Sequence, residues 1–339
     1  MYKLFIIIIS FFFLFSFQNI IAEEKLFSEQ STFSSLAKKS LLLQSSQYKS
    51  LIVVVGERGH ILYSSNHHDW QQAVVATKQT LTNIFIHDEQ TAWAVGHDAV
   101  ILKTNDGAKT WEKVFSDIKA EAPLLDLYFK DKKNGIAIGA YSLMYLTTDG
   151  GINWQRTELN LSKSNAINDG AESSEFTDVY DLHLNAIAYA GEKRFYIAAE
   201  AGHILRSDDD AKTWQDLPAP YHGSFFGILP LSFNEVLVYG LRGHLYHSSD
   251  AGNSWKKIDT ASKEMLTDAL VLSNGNIVVI GLAGTLLLSK DNGRTFSNIK
   301  LHHQHGLSSV LENEADSILL TGDAGIQILS QDDFTIDYR

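Results

Sequence analysis

An all-β fold, a seven-bladed β-propeller of four-stranded blades, is what this sequence predicts, and three observations predict it. A phrase whose usual form is Gly-x-x-Gly, running into a short apolar stretch that ends in Ser or Thr, recurs seven times. Its copies start at Gly56, Gly96, Gly139, Ala199, Gly240, Gly281 and Gly322. The starts lie 40, 43, 60, 41, 41 and 41 residues apart, a period that marks stacked copies of one unit unable to bury its apolar face alone. Between the phrases run short stretches rich in β-branched and aromatic residues, separated by turn formers. No long helical period appears after the first residues.

Each element of the repeat follows from its residues. Around the third phrase, residues 124–129, 135–139, 143–147 and 154–158 have strand length and composition. Four such strands per repeat make a propeller blade. The turn between the third and fourth strands carries a second signature that resembles the Asp-box of neuraminidase-type repeats. It pairs Asp106 with Trp111, Asp149 with Trp154, Asp209 with Trp214, Asp250 with Trp255 and Asp291 with Phe296. The carboxylate is expected to accept backbone N–H groups of the turn, and the aromatic ring to plug the space beneath it. One turn repeated five times is scaffold chemistry, so these aspartates are not read as catalytic. A worn copy lies at Asn66–Trp70, and the seventh stops at Asp332-Asp333-Phe334.

The ends and the interruptions carry their own readings. Lys3 precedes an uncharged, mostly apolar run over residues 4–17, and Ile20-Ile21-Ala22 stands before Glu23. Residues 1–22 therefore read as a secretory signal, followed by a single propeller domain over 23–339. The seventh blade lacks an outer strand, so the segment 23–40, and residues 26–35 in particular, is expected to close the ring. The long interval holds an acidic insertion at 158–182. Cysteine is absent, so disulfides contribute nothing and the core alone must stabilise the chain. Removing residues 1–22, with their one lysine and no acid, takes the formal charge from −12 to −13. Such a chain is a poor nucleic-acid binder; the periplasm or an equivalent lumen is the expected location.

Propeller strands alternate in direction, so the loop between strands two and three opens on the face that also carries the inter-blade connections. The residues within the Gly-x-x-Gly phrases therefore ring one end of the channel, among them Arg58, His97, Asp98, Tyr141, Glu200, Arg242 and Asp323. Two readings of the arginines stand open. Their planar guanidinium groups suit a carboxylate partner, or Arg58 pairs with Asp323 and Arg242 with Glu200 across blade junctions. In Gly223-Ser224-Phe225-Phe226-Gly227, alternation sends one phenylalanine into the core and lets the other face the channel. His60, His203 and His244 occupy matching positions and read as packing residues. His302, His303 and His305 share one loop, which reads as solvated rather than metal-binding; no metal or cofactor is expected.

Taken together, GERGHIL, AWAVGHDAVIL, PLLDLYF, HLNAIA, GSFFG and GLRGHLYHS, with five aspartate turns, resemble the Ycf48/Hcf136-like propeller family, closest to its exported proteobacterial type. The resemblance spans about residues 40–330. It implies a non-enzymatic assembly factor, like those acting on photosystem II from the lumenal side, or an accessory to an envelope exporter. It also implies partner contact through basic residues on one face, here Arg58 and Arg242, by a monomer docking on a membrane protein complex. The alternative is an Asp-box glycoside hydrolase or glycan-binding protein. The chain has seven arginines, with Arg206 placed on a strand and Arg294 within a turn, short of a sialidase site. Asp98, Glu200 and Asp323 are the carboxylates available for an inverting hydrolysis.

Overall fold

Apolar residues crowd the second strand of each repeat, and that crowding puts these strands at the centre of the seven sheets. In the computed structural model, which describes residues 29–161, 181–301, 303–314 and 317–330, the repeats form seven antiparallel sheets in chain order. Blades one to six span residues 42–72, 81–115, 124–156, 184–216, 225–258 and 266–300; blade seven spans 307–330 with three strands among the described residues. The short strand Val74–Val75 pairs in parallel with Thr110–Phe115, giving blade two a fifth strand. The innermost strands touch their neighbours in cyclic order, and that of blade one, Leu42–Tyr48, packs on that of blade seven, Leu307–Glu312. The expected seven-bladed propeller is therefore the fold.

Every residue of the second strands Leu51–Gly56, Ala92–Gly96, Gly135–Gly139, Val236–Gly240 and Ile277–Gly281 is buried. Both faces of these strands meet an adjacent blade, so the usual in–out alternation gives way to continuous apolar sequence. In six blades a close approach keeps a glycine at the end of the second strand; blade four ends its own in Ala199. A Cβ on Gly56 would lie 2.2 Å from the carbonyl oxygen of Leu41, where the chain enters the inner strand, and Gly96 and Gly139 repeat this geometry. Between blades, aromatic rings fill the wedge that widens outwards: Trp93 stacks on Phe129 at 3.6 Å, and Trp154 meets Phe129 edge-on at 5.8 Å. Each such ring removes enough apolar surface from water to contribute about 2–3 kcal/mol.

The aspartate turns hold the opposite face. The Oδ1 of Asp106 accepts the N–H groups of Lys109 and Thr110, both at 3.0 Å, while its Oδ2 accepts the Thr110 hydroxyl at 2.6 Å. Asp149, Asp209, Asp250 and Asp291 likewise accept on Oδ1 the N–H of the fourth residue on. Hydrogen bonds from Asn153 and Thr295 hold the carboxyl groups of Asp149 and Asp291 down at about 2. The worn copy works through an amide: Asn66 Oδ1 accepts the N–H of Asp69 at 2.8 Å. Trp111, Trp154 and Trp214 are buried beneath their turns, whereas Trp255 and Phe296 are half-buried. Burying the ring shortens the outer strand, so the expected 154–158 reduces to Gln155–Arg156.

Ring closure differs from the expectation. Residues 26–28 lie outside the described part; residues 29–34 run beside blades one and two instead of completing blade seven. Ser31 N–H donates to the Val75 carbonyl at 2.9 Å, Gln72 Nε2 donates to the Thr32 carbonyl at 2.9 Å, and Lys113 pairs with Glu29 at 2.8 Å. The physical reason is that the outer edge of blade one ends in Gln71–Gln72, whose side chain Gln72 captures the segment at Ser34 N–H and Thr32 O. Residues 37–40 do reach blade seven, since Ile326 N–H donates to the Lys38 carbonyl at 3.0 Å. They fill the slot that inter-blade connections fill elsewhere, as where Ala99 N–H donates to Ala122 O. Residues 1–22 and most of the insertion, 162–180, lie outside the described residues. Among those described, no helix is long and apolar enough to cross a membrane.

Candidate functional site

Six of the seven Gly-x-x-Gly phrases fold into a tight turn whose third residue adopts left-handed backbone. Arg58, Asp98, Ala201, Arg242 and Ala283 have φ between 52° and 58°, with Tyr141 at 54°. Residues other than glycine are held there at a cost of about 1 kcal/mol or more, and here the turn repeats around one rim. Arg58 is 80% exposed, and its nearest acid is its own neighbour Glu57 at 4.0 Å. Arg242 is exposed and makes no ion pair among the described residues. His97 is exposed too, and Tyr141, 54% exposed, meets the His183 ring edge-on at 5.1 Å.

The rim acids are turned to other work. Glu57 Oε1 accepts the N–H of Leu41 at 3.3 Å, and Glu200 Oε1 accepts that of His183 at 2.7 Å. Asp323 Oδ2 accepts the N–H of Gly306 at 2.9 Å, with its Oδ1 3.1 Å from His305 Nδ1. Asp98 accepts a hydrogen bond from the Gln79 amide. The pairs Arg58–Asp323 and Arg242–Glu200 are therefore not made. Each carboxylate instead folds back onto the chain entering its own blade, satisfying a donor there. The two arginines are left facing solvent.

Phe225 is wholly buried between blades four and five, and Phe226 lines the channel, as alternation requires. The matching histidines take three different partners. His60 Nδ1 lies 3.1 Å from Ser40 Oγ, His203 Nδ1 lies 2.8 Å from Asp216 Oδ2, and the His244 ring sits 4.0 Å from that of Tyr221. His302 is outside the described residues; the His303 and His305 rings stand 5.1 Å apart. Among the described residues no group of three or more His, Cys, Asp or Glu is arranged to hold a metal ion.

One set of residues escaped the sequence reading. Each inner strand carries a β-bulge after its first residue, and in six of the seven blades the residue that closes the bulge lines the channel, a cavity of about 650 Å³. Asp126 Oδ1 accepts the N–H of Leu127 at 2.7 Å, and its Oδ2 accepts that of Ile187 in the next blade, also at 2.7 Å. Asp268 makes the same clip, to Ala269 at 2.8 Å and to Val310 of the next blade at 3.0 Å. Burial raises the Asp126 carboxyl to about 7, against the pull of those two N–H groups, and raises Asp268 to about 6. Blade five has Gly227 at this position, and the Tyr239 ring occupies the space a side chain would take. The signal was an acid inside an otherwise apolar strand, in the stretch PLLDLYF.

Comparison with known proteins fits this geometry. A family model described as photosynthesis system II assembly factor YCF48 matches residues 114–258. That segment is similar to YCF48. It runs from the outer strand of blade two to that of blade five, and holds Tyr141, Glu200, Phe226 and Arg242 of the rim. YCF48 from Cyanidioschyzon merolae superposes with a TM-score of 0.67 at 14% identity, covering 88% of this chain and 97% of that one. A YCF48 structure bound to D1 peptide superposes at 0.65 with 15% identity, over 86% and 94% of the two chains. The fold is shared more widely. The GH74 xyloglucanase from Xanthomonas campestris gives 0.65 at 10% identity, over 88% of this chain and 53% of that one. No curated protein matches the sequence significantly.

Proposed function

We propose that this protein is a non-catalytic scaffold of the cell envelope that docks a segment of a membrane protein complex on its Gly-x-x-Gly face and so assembles or stabilises that complex. The observation that carries the reading is the asymmetry of the rim: Arg58 and Arg242 are exposed without a close acid from another blade, while Glu57, Asp98, Glu200 and Asp323 are occupied by internal hydrogen bonds. Free guanidinium groups held on strained, defined turns are suited to carboxylates of a partner. A YCF48 of the same fold binds a D1 peptide, which supports a peptide segment as the ligand class here. Export through residues 1–22, action as a monomer, and service either to a photosystem-like complex or to an envelope exporter belong to this proposal.

Affinity capture from envelope membranes tests it, comparing the wild-type chain with an Arg58→Ala/Arg242→Ala variant. Loss of the captured membrane protein in the variant is expected; equal capture by both refutes the arginine face as the docking surface. The shared fold of the xyloglucanase keeps hydrolysis as the second reading. Asp98, Glu200 and Asp323 hold loops together here, which favours a structural duty. Turnover of a glycoside panel that is lost in Asp98→Asn or Glu200→Gln would reverse that judgement.

A further inference from the structure

The residue just after the opening Leu or Phe of each inner strand stands at the mouth of the channel, next to the inter-blade connections and hence on the arginine-bearing face. In four blades it is polar and clips onto the next blade. Thr82 Oγ1 donates to Leu124 O at 2.7 Å, Asn185 Nδ2 to Phe225 O at 2.7 Å, Thr267 Oγ1 to Leu307 O at 2.8 Å and Ser308 Oγ to Leu42 O at 2.5 Å. In blades one, three and five the same position holds Leu43, Leu125 and Phe226. These forgo the clip, line the cavity and remain half-buried. None of the three packs into any of the apolar clusters between blades among the described residues.

Three large apolar side chains kept out of every core, where a hydroxyl or amide would have bonded, call for another occupant. The rim above them adds apolar surface in Tyr141, 54% exposed, and Leu282, 40% exposed, beside the free Arg58 and Arg242. An apolar centre inside a charged rim is the anatomy of a protein-binding surface. We propose that the channel mouth is a socket for one large apolar side chain of an acidic peptide segment, whose carboxylates meet Arg58 and Arg242. This rests on the docking reading above and extends it by naming what the centre of the surface holds.

The test is selection of a random twelve-residue peptide display library on the wild-type protein, followed by affinity measurement on one enriched peptide. The expected consensus is acidic residues flanking a fixed Leu, Phe or Met. Replacing that apolar residue by Ser is expected to weaken binding at least about tenfold. Phe226→Ser or Leu125→Ser, each with an unchanged melting temperature, is expected to erase the difference between the two peptides. Arg58→Ala/Arg242→Ala is expected to weaken both peptides alike. An acidic consensus without an apolar position, or indifference to the Ser replacement, overturns the socket and leaves the arginine reading standing. Absence of acidic enrichment overturns the arginine reading and the socket with it.

Discussion

Asp126 makes a prediction whose size can be worked from its surroundings. Asp126 is 9% exposed, and burial raises its carboxyl to about 7 in the folded chain, against about 3.9 for an unfolded aspartate. The folded state therefore holds this proton through a pH range in which the unfolded state has released it. Stability from this group is greatest below about pH 4 and is lost as pH rises towards 7. A difference of roughly three pKa units, at about 1.4 kcal/mol each, corresponds to about 4 kcal/mol across that window. Asp126→Asn removes the titration while its amide oxygen keeps one of the two accepted N–H groups. The lost clip costs about 1 kcal/mol at every pH. Urea unfolding at pH 4.5, 6.0 and 8.0 should show wild-type stability falling with pH and a visibly flatter profile for the variant. Equal slopes for both proteins would refute the assignment of the proton to Asp126.

Further expectations follow from other elements. Gly56→Ala drives a Cβ to 2.2 Å from the Leu41 carbonyl and should destabilise by about 3 kcal/mol or more, read by denaturant midpoint. Asp291→Ala frees the Arg294 and Thr295 N–H groups in an exposed turn, so a loss near 1 kcal/mol is expected, diminishing below pH 4 as the depressed wild-type carboxyl protonates. Deleting residues 23–40 removes the Lys38–Ile326 contact and the bonds of Ser31 and Thr32, and the melting temperature should drop sharply by calorimetry. An unchanged transition would show that this segment does not secure the junction.

The parts legible in the sequence are those whose demands are local. A Gly-x-x-Gly turn and an aspartate accepting N–H groups three and four residues ahead are settled within one short stretch, so Gly139 or Asp149 announces its structure from its neighbours. The seven inner strands were legible for the same reason, since Leu124–Phe129 alternates over a bulge without needing a distant partner. Pairings across blades were not. Glu200 had Arg242 as a plausible mate one repeat away, yet a backbone donor from His183 stood closer once the chain folded. Asp126 stood out only as an acid in an apolar strand; its role was hidden because its clip reaches Ile187, 61 residues on. The path of residues 29–34 turned on a single amide, Gln72, that no repeat pattern singles out.

Ring closure has a mechanical consequence. Six of the seven junctions between blades are spanned by the polypeptide itself; the last depends on contacts such as Ser45 Oγ with Ser309 Oγ at 2.8 Å and the Ser308 hydroxyl on Leu42 O. Among the described residues no strand is shared across it, so under tension or heat the toroid parts there first, like a bracelet at its clasp. Chain breaks engineered at any other junction, with the natural ends joined, should move that weak point without altering the rim.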